Sequence, residues 1–333
     1  MRAIALLVVC VLVATVSMAA GETKEIKKDF DQTFQVSEGA FLELHCGDGD
    51  VTIVPWERDE VRVVVHYDAT VNIGGAWKQT DFDVDFEHTG NIVRVVVHEP
   101  TATWGFGWVK RNIRKYVYEI SAPAYTEIDV NGDDGDIMIS GWRQDINCSL
   151  DDGDIKISDI ECGRINVALD DGDTDLDGVK AAVSVSADDG DITIQNWTCP
   201  NVRMSLADGD IFLMNGIGDV YASLDDGDLT AREITAESFT ASGEDGDMDI
   251  ELATEGALEV EIATDDGDVD LWLNASVSAM LDVSMDDGDV SIAHDGLSGI
   301  EKRRHRFTGK LGDGDGSVRI RTADGDIVIM ESK

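Results

Sequence analysis

The chain has 333 residues and carries 26 Lys and Arg against 68 Asp and Glu, a formal net charge of −42. A polyanion of this size is repelled by phosphate backbones and anionic lipid, which excludes nucleic acid as a partner and electrostatic docking on a membrane, and leaves cations and basic surfaces as the partners its field favours. With 43% hydrophobic residues it still has the apolar side chains for a core, so the acidity does not imply disorder.

Residues 1–19 read as a signal peptide. Arg2 precedes an apolar run over 3–16, and Ser17, Met18 and Ala19 place small residues at the −3 and −1 subsites, so cleavage is expected after Ala19 or one residue later. Cys10 follows Val9 rather than a small residue, which argues against a lipoprotein site. Nothing later in the chain is long and apolar enough to be an integral membrane span. The mature protein is therefore expected to be exported, to the periplasm, the cell surface or the extracellular space.

Residues 20–130 form an N-terminal β cap region with little repetition. Strands are expected over 41–44, 51–54, 61–66, 82–86, 92–97 and 116–121, and His88, Thr89 and Gly90 before Asn91 mark a hairpin return. A small antiparallel sheet of this kind covers the end of a repeat array and prevents edge-to-edge association.

Residues 131–333 are a repeat region. Asp-Gly-Asp is centred on Gly49, Gly135, Gly153, Gly172, Gly190, Gly209, Gly227, Gly246, Gly267, Gly288, Gly314 and Gly325, with spacings from Gly135 of 18, 19, 18, 19, 18, 19, 21 and 21. Apolar residues stand two and four places after the glycine, as in Ile155 and Ile157, and seven, five and three places before the next, as in Ile165, Val167 and Leu169. Both are period two, so each unit reads as strand, corner, strand and Asp-Gly turn. The expected fold is all-β: a single-stranded parallel β-solenoid, or β-helix, with about 18–21 residues per coil, an N-terminal antiparallel β cap, and an insertion near 295–320. The alternation of 18 and 19 also admits a full coil of twice that length.

Stacked coils lie about 4.8 Å apart, where two carboxylates repel by roughly 1 kcal/mol in water and more near protein. Two readings of the resulting acidic ladder stay open. Ca²⁺, a hard cation taking carboxylate and carbonyl oxygens, would be held by Asp134, Asp136, Asp152, Asp154, Asp171, Asp173, Asp189, Asp191, Asp226 and Asp228. Alternatively the aspartates form turns and are solvated and screened. The stretch from Asp173 to Gly178 resembles half of an EF-hand loop, but its twelfth position is Ser184, so that motif fails.

Other constellations carry less. Cys46, Cys148, Cys162 and Cys199 remain after cleavage; Cys148 falls on an inward column as a buried thiol, and Cys162 and Cys199, two coils apart, are too distant to bridge. Trp142 and Trp197 are expected to plug corners, with Trp104 and Trp108 covering the cap. The basic run 302–306 and the cap residues Lys110, Arg111, Arg114 and Lys115 are expected to pair with acids rather than recruit an anion. The six histidines show no metal-ligand spacing and adjoin no nucleophile, so neither a zinc site nor a triad is supported.

Several residues together carry a resemblance: the first turn at Gly47, Asp48, Gly49, Asp50 and Val51; Ser121 to Ala124 before Ile128, Asp129 and Val130; the serial Gly-Asp-Ile turns; and the closing Gly309 to Gly314 and Thr322 to Ile327. Over nearly all of the mature chain this resembles the bacterial putative-adhesin family, a domain of unknown function. The resemblance implies a surface or envelope β-solenoid without catalytic residues, recognising a cell-surface or envelope component, protein or polysaccharide. The chain departs from that family in having Asp before nearly every turn glycine. The expected function is a non-enzymatic adhesion or envelope-interaction module; the alternative is a calcium-dependent carbohydrate-active β-helix, a polysaccharide lyase or lectin.

Overall fold

A computed structural model describes residues 22–332; the signal peptide expected over 1–19 lies outside the described residues. Among these the chain is all-β, with no helix, and none long and apolar enough to cross a membrane. Period-two patterning becomes period-two burial: strand Ile155–Asp171 alternates buried and outward residues on both sides of its corner.

Each central repeat pairs in parallel with the next, residue for residue. Ile146 lies beside Ile165, Ile165 beside Val183, Val183 beside Val202, and Val202 beside Val220. On the other side of the turn Ile137, Ile155, Thr174, Ile192, Ile211 and Leu229 form one column, all at most 1% exposed. Two such columns facing each other make a narrow apolar core that runs the length of the stack. The 18/19 alternation is resolved at the corner: Glu161 pairs with Lys180 and Arg164 with Ala182, so the longer repeat holds its extra residue between strands. Neighbouring repeats pair directly, which rules out the doubled coil.

Trp142 and Trp197, both buried, fill corners as expected, and the Trp142 indole donates to the Thr126 carbonyl at 2.6 Å. The second corner demands the left-handed region at the sixth residue after the turn glycines from Gly135 to Gly227: Gly141 (φ 69), Asp159 (57), Gly178 (67), Asn196 (55), Asn215 (52) and Glu233 (54). This column is invisible to a search for glycine, because Asn and Asp also tolerate that conformation.

The sheet is mixed, and its ends depart from simple succession. Strand Phe41–His45 pairs in parallel with Ile92–His98 on one side and Glu127–Asp134 on the other, so the first repeat is sandwiched between later segments. Antiparallel strands Glu60–Gln79 and Glu22–Gln35 then cover Ala102–Ala122, and Asp83–Thr89 pairs with Ile92–His98 as the expected hairpin. At the other end, Gly316–Asp324 sits between Glu259–Asp266 and Val277–Asp287, and Ile327–Glu331 between Val269–Leu273 and Val290–Ala293. The last repeat in sequence is thus next to last in space. An antiparallel hairpin, Leu297–Arg303 with Arg306–Leu311, closes this end over Val277–Asp287 within the expected insertion.

Candidate functional site: the aspartate turn ladder

Turn glycines stack on one another along one edge. Gly190 has φ 115, and a Cβ there would lie 2.1 Å from the Gly172 carbonyl oxygen; the corresponding distance from Gly227 to Gly209 is 1.9 Å. Glycine is therefore required twice over, by conformation and by the closeness of the neighbouring turn.

Asp315, after Gly314, stands apart and bonds Ser278. The aspartate after each stacked turn glycine has a defined task. Its carboxylate Oδ1 accepts the backbone N–H of the equivalent aspartate in the adjoining repeat. The series runs Asp50 to Asp136, then Asp154, Asp173, Asp191, Asp210, Asp228, Asp247, Asp268, Asp326 and Asp289, at 2.7–3.2 Å. The glycine N–H bonds the other way, as from Gly153 to the Asp171 carbonyl at 3.0 Å. Each turn is thus tied to both neighbours. Of the ten aspartates singled out from the sequence, Asp136, Asp154, Asp173, Asp191 and Asp228 are these structural acceptors. The others, Asp134, Asp152, Asp171, Asp189 and Asp226, point to solvent from the strand ends. Asp50, Asp210, Asp247, Asp268, Asp326 and Asp289 complete the series and had the same Asp-Gly-Asp signal.

The solvent-facing row carries the electrostatic load. The Asp189 carboxyl is raised above the ordinary carboxylate range by its hydrogen bond with Asp171, with burial, the Asp171 charge and Asp208 adding to it. Asp226 is raised by burial and by the charges of Asp208 and Asp245. Among the described residues no three His, Cys, Asp or Glu side chains converge on a point that would hold a metal ion.

At the N-terminal end the ladder runs under the cap. The Asp48 N–H donates to Glu99 Oε1 at 3.0 Å, Arg111 Nη1 lies 3.3 Å from Glu99 Oε2, and the Tyr116 and Tyr118 hydroxyls meet at 2.7 Å beside Gly49. Burial, followed by the charges of Glu99 and Asp134, pushes the Asp48 carboxyl up to about 6. Burial also raises both tyrosines.

Several basic residues are paired as expected. Arg114 reaches Asp68 at 2.5 Å, and Arg306 grips Asp282 through two bonds of 2.6 Å. Arg303 lies 3.6 Å from Glu301. Cys46, Cys148, Cys162 and Cys199 are all free thiols, and Cys148 is buried. Trp108 is 57% exposed; Trp104 lies outside the residues whose side chains are described.

No curated protein is significantly similar to the chain. Among solved structures it is similar to a putative adhesin from Bacteroides fragilis, at 15% identity and a TM-score of 0.33, over 91% of this chain and 97% of that one. It is also similar to one from Parabacteroides merdae, at 10% identity and 0.37, over 92% and 97%. A putative cell adhesion protein from Clostridium sporogenes gives 11% identity and 0.20, over 92% and 100%. Scores of this size do not by themselves fix a shared fold. Residues 40–330, from the buried entry to the first repeat through to the final strand, match one family throughout, and the chain belongs to that family, Toastrack DUF4097.

Proposed function

We propose that the mature chain is an exported, non-enzymatic β-solenoid, about 18–21 residues per coil, that serves as an adhesion or envelope-interaction module. The observation that carries this reading is the use made of the acidic edge. One carboxylate of each turn from Gly49 to Gly267, and of the Gly325 turn, is engaged by a backbone N–H of its neighbour, so the most conspicuous chemistry of the sequence is employed in building the scaffold. What a stack of this kind offers a partner is its flanks, held rigid by parallel pairing on both sides of nearly every repeat. Co-sedimentation of the mature protein with intact cells and isolated envelopes of the producing organism tests the proposal. Saturable retention above that of an equally acidic control protein is expected; no retention would sink it.

The outer aspartates bear on the calcium-dependent alternative, since Asp189, between Asp171 and Asp208, and Asp226, between Asp208 and Asp245, each face like charges that a cation would relieve. In this proposal Asp134, Asp136, Asp152, Asp154, Asp171, Asp173, Asp189, Asp191, Asp226 and Asp228 are turn formers. Ca²⁺ and Mg²⁺ at matched ionic strength are then expected to raise the melting temperature equally, by screening. A rise specific to Ca²⁺, which reaches about 2.7 kcal/mol at a hundredfold excess over Kd, would return the ladder to a metal site.

A further inference from the structure

The two flanks of the central repeats both reach solvent but differ in chemistry. On the flank formed after the turn, outward positions hold Lys156, Asp175, Asp177, Arg232, Asp249 and Glu251, with Thr193, Gln195, Phe212 and Met214 between them. The flank formed before the turn, at its two middle outward positions in each repeat from Asn147 to Ser242, holds Asn, Ser, Thr and Ala, one Arg and one Tyr, with the Asp219 carboxylate at its corner side, where it accepts the Ser238 N–H. In a chain of net charge −42 that is the exception. Fold and solubility do not require it, because equivalent outward positions of the opposite flank accept charge at Asp175, Asp177, Asp249 and Glu251.

Midway along this flank lies a shallow groove of about 350 Å³ lined by Ser186, Ser205, Ser223, Ser242, Arg203 and Tyr221. Tyr221 is 38% exposed, and the Arg203 guanidinium sits 4.8 Å from its ring centroid. These two residues are direct neighbours in adjoining repeats. Ser242 donates to Ser223 at 3.2 Å, while among the described residues the Ser186 and Ser205 hydroxyls have no intramolecular partner. An aromatic face beside hydroxyls and a planar donor is suited to stacking on a pyranose ring and bonding its hydroxyls.

Charge selects among possible occupants. A cationic partner would be drawn to the turn edge instead of the neutral flank, and a polyanion would be repelled by that edge. Tyr221 stands two residues after Asp219 on the same face, about 7 Å along an extended strand, so an anionic partner in the groove meets a carboxylate within the ~8 Å screening length of physiological salt. An uncharged chain meets no such barrier. The repeat rise of about 4.8 Å is close to the length of one sugar unit, so a polysaccharide laid across the strands presents successive rings to successive repeats. We infer that the groove around Arg203 and Tyr221 binds an uncharged polysaccharide, an inference that rests on the envelope-interaction reading and names its ligand class.

The −42 charge gives the protein strong mobility in native gels, which suits affinity electrophoresis through laminarin, galactomannan or arabinoxylan, with polygalacturonate as the anionic probe. The wild type is expected to be retarded by at least one neutral polysaccharide. Tyr221→Ala should weaken that by about tenfold or more, the loss of roughly 1.4 kcal/mol. Ser205→Glu, which puts a charge in the groove, should abolish it, and Thr193→Glu on the opposite flank should leave it intact, all with unchanged melting profiles. No retardation by any neutral polysaccharide, retardation by polygalacturonate alone, or retardation indifferent to Tyr221→Ala would overturn the inference. If the wild type and Tyr221→Ala co-sediment equally with envelopes, this groove is wrong and the envelope reading stands. If neither sediments, the reading itself falls.

Discussion

Thr174 occupies a column otherwise filled by Ile137, Ile155, Ile192, Ile211 and Leu229, is 1% exposed, and its hydroxyl has no partner. An unmet buried hydroxyl costs on the order of 1 kcal/mol or more, so Thr174→Val is expected to stabilise the protein by about 1 kcal/mol in denaturant melts. Glu233 is the member of the second-corner column that is neither Gly, Asn nor Asp, at φ 54. Glu233→Gly, relieving a left-handed conformation that costs roughly 1–2 kcal/mol for an ordinary residue, should raise the melting temperature, whereas Glu233→Val should lower it. Asp48 supplies a pH signature. With its carboxyl at about 6 in the folded state against 3.8 unfolded, the folded state binds the extra proton. That stabilisation is fully present below the unfolded value and is lost as pH rises through 6. Asp48→Asn should therefore gain about 1–2 kcal/mol at pH 7.5, after allowance for solvent screening, and little at pH 4, as read from melts at the two pH values.

At the scale of the element, two aspartates of one turn are predicted to behave oppositely. Asp173 accepts the Asp191 N–H at 2.9 Å, so Asp173→Ala should destabilise by about 1 kcal/mol regardless of salt. Asp171 faces solvent and raises Asp189, so Asp171→Asn should stabilise, more at low ionic strength than at high. Equal effects of the two substitutions, in urea melts at low and high salt, would refute this division of labour. The strands themselves were legible from the sequence. Ile146, Cys148 and Leu150 are buried at the expected alternation, because a residue's side in a strand depends only on its parity. The turn was legible through its glycine. The task of the following aspartate was not, since a carboxylate bonded to its neighbour's backbone and a carboxylate awaiting a cation have the same spacing in sequence.

For the whole molecule the decisive feature is that both terminal repeats are intercalated. The segment Gly316–Asp324 enters where Ser278 and Asp315 exchange bonds of 3.0 and 3.1 Å, separating strands whose turn glycines, Gly267 and Gly288, are successive in sequence. The Gly267 N–H therefore bonds Asp324, and the Gly325 N–H bonds Asp287. A chain end held on both sides by other repeats cannot fray from the edge of a stack, where open strands also invite association. Deleting residues 313–333 should then be far more damaging than its length suggests, removing a middle layer. Excising 172–189, a whole central repeat, should leave a cooperative fold of slightly lower stability. Circular dichroism melts and limited proteolysis of the two deletions check this; equal damage would mean that the end is an ordinary terminal repeat.

By itself the sequence determined the strand content, the inward columns, the glycine turn, the corner tryptophans and the membership of a repeat class. These follow from local periodicity and from conformational demands that a single residue reveals. The order of the layers at either end, the acceptor role of the second aspartate, and the gathering of uncharged outward residues on one flank were decided by tertiary structure. Each depends on which distant segments lie one strand spacing apart, and residues 267 and 325 become neighbours only when the chain turns back to fill its own gap.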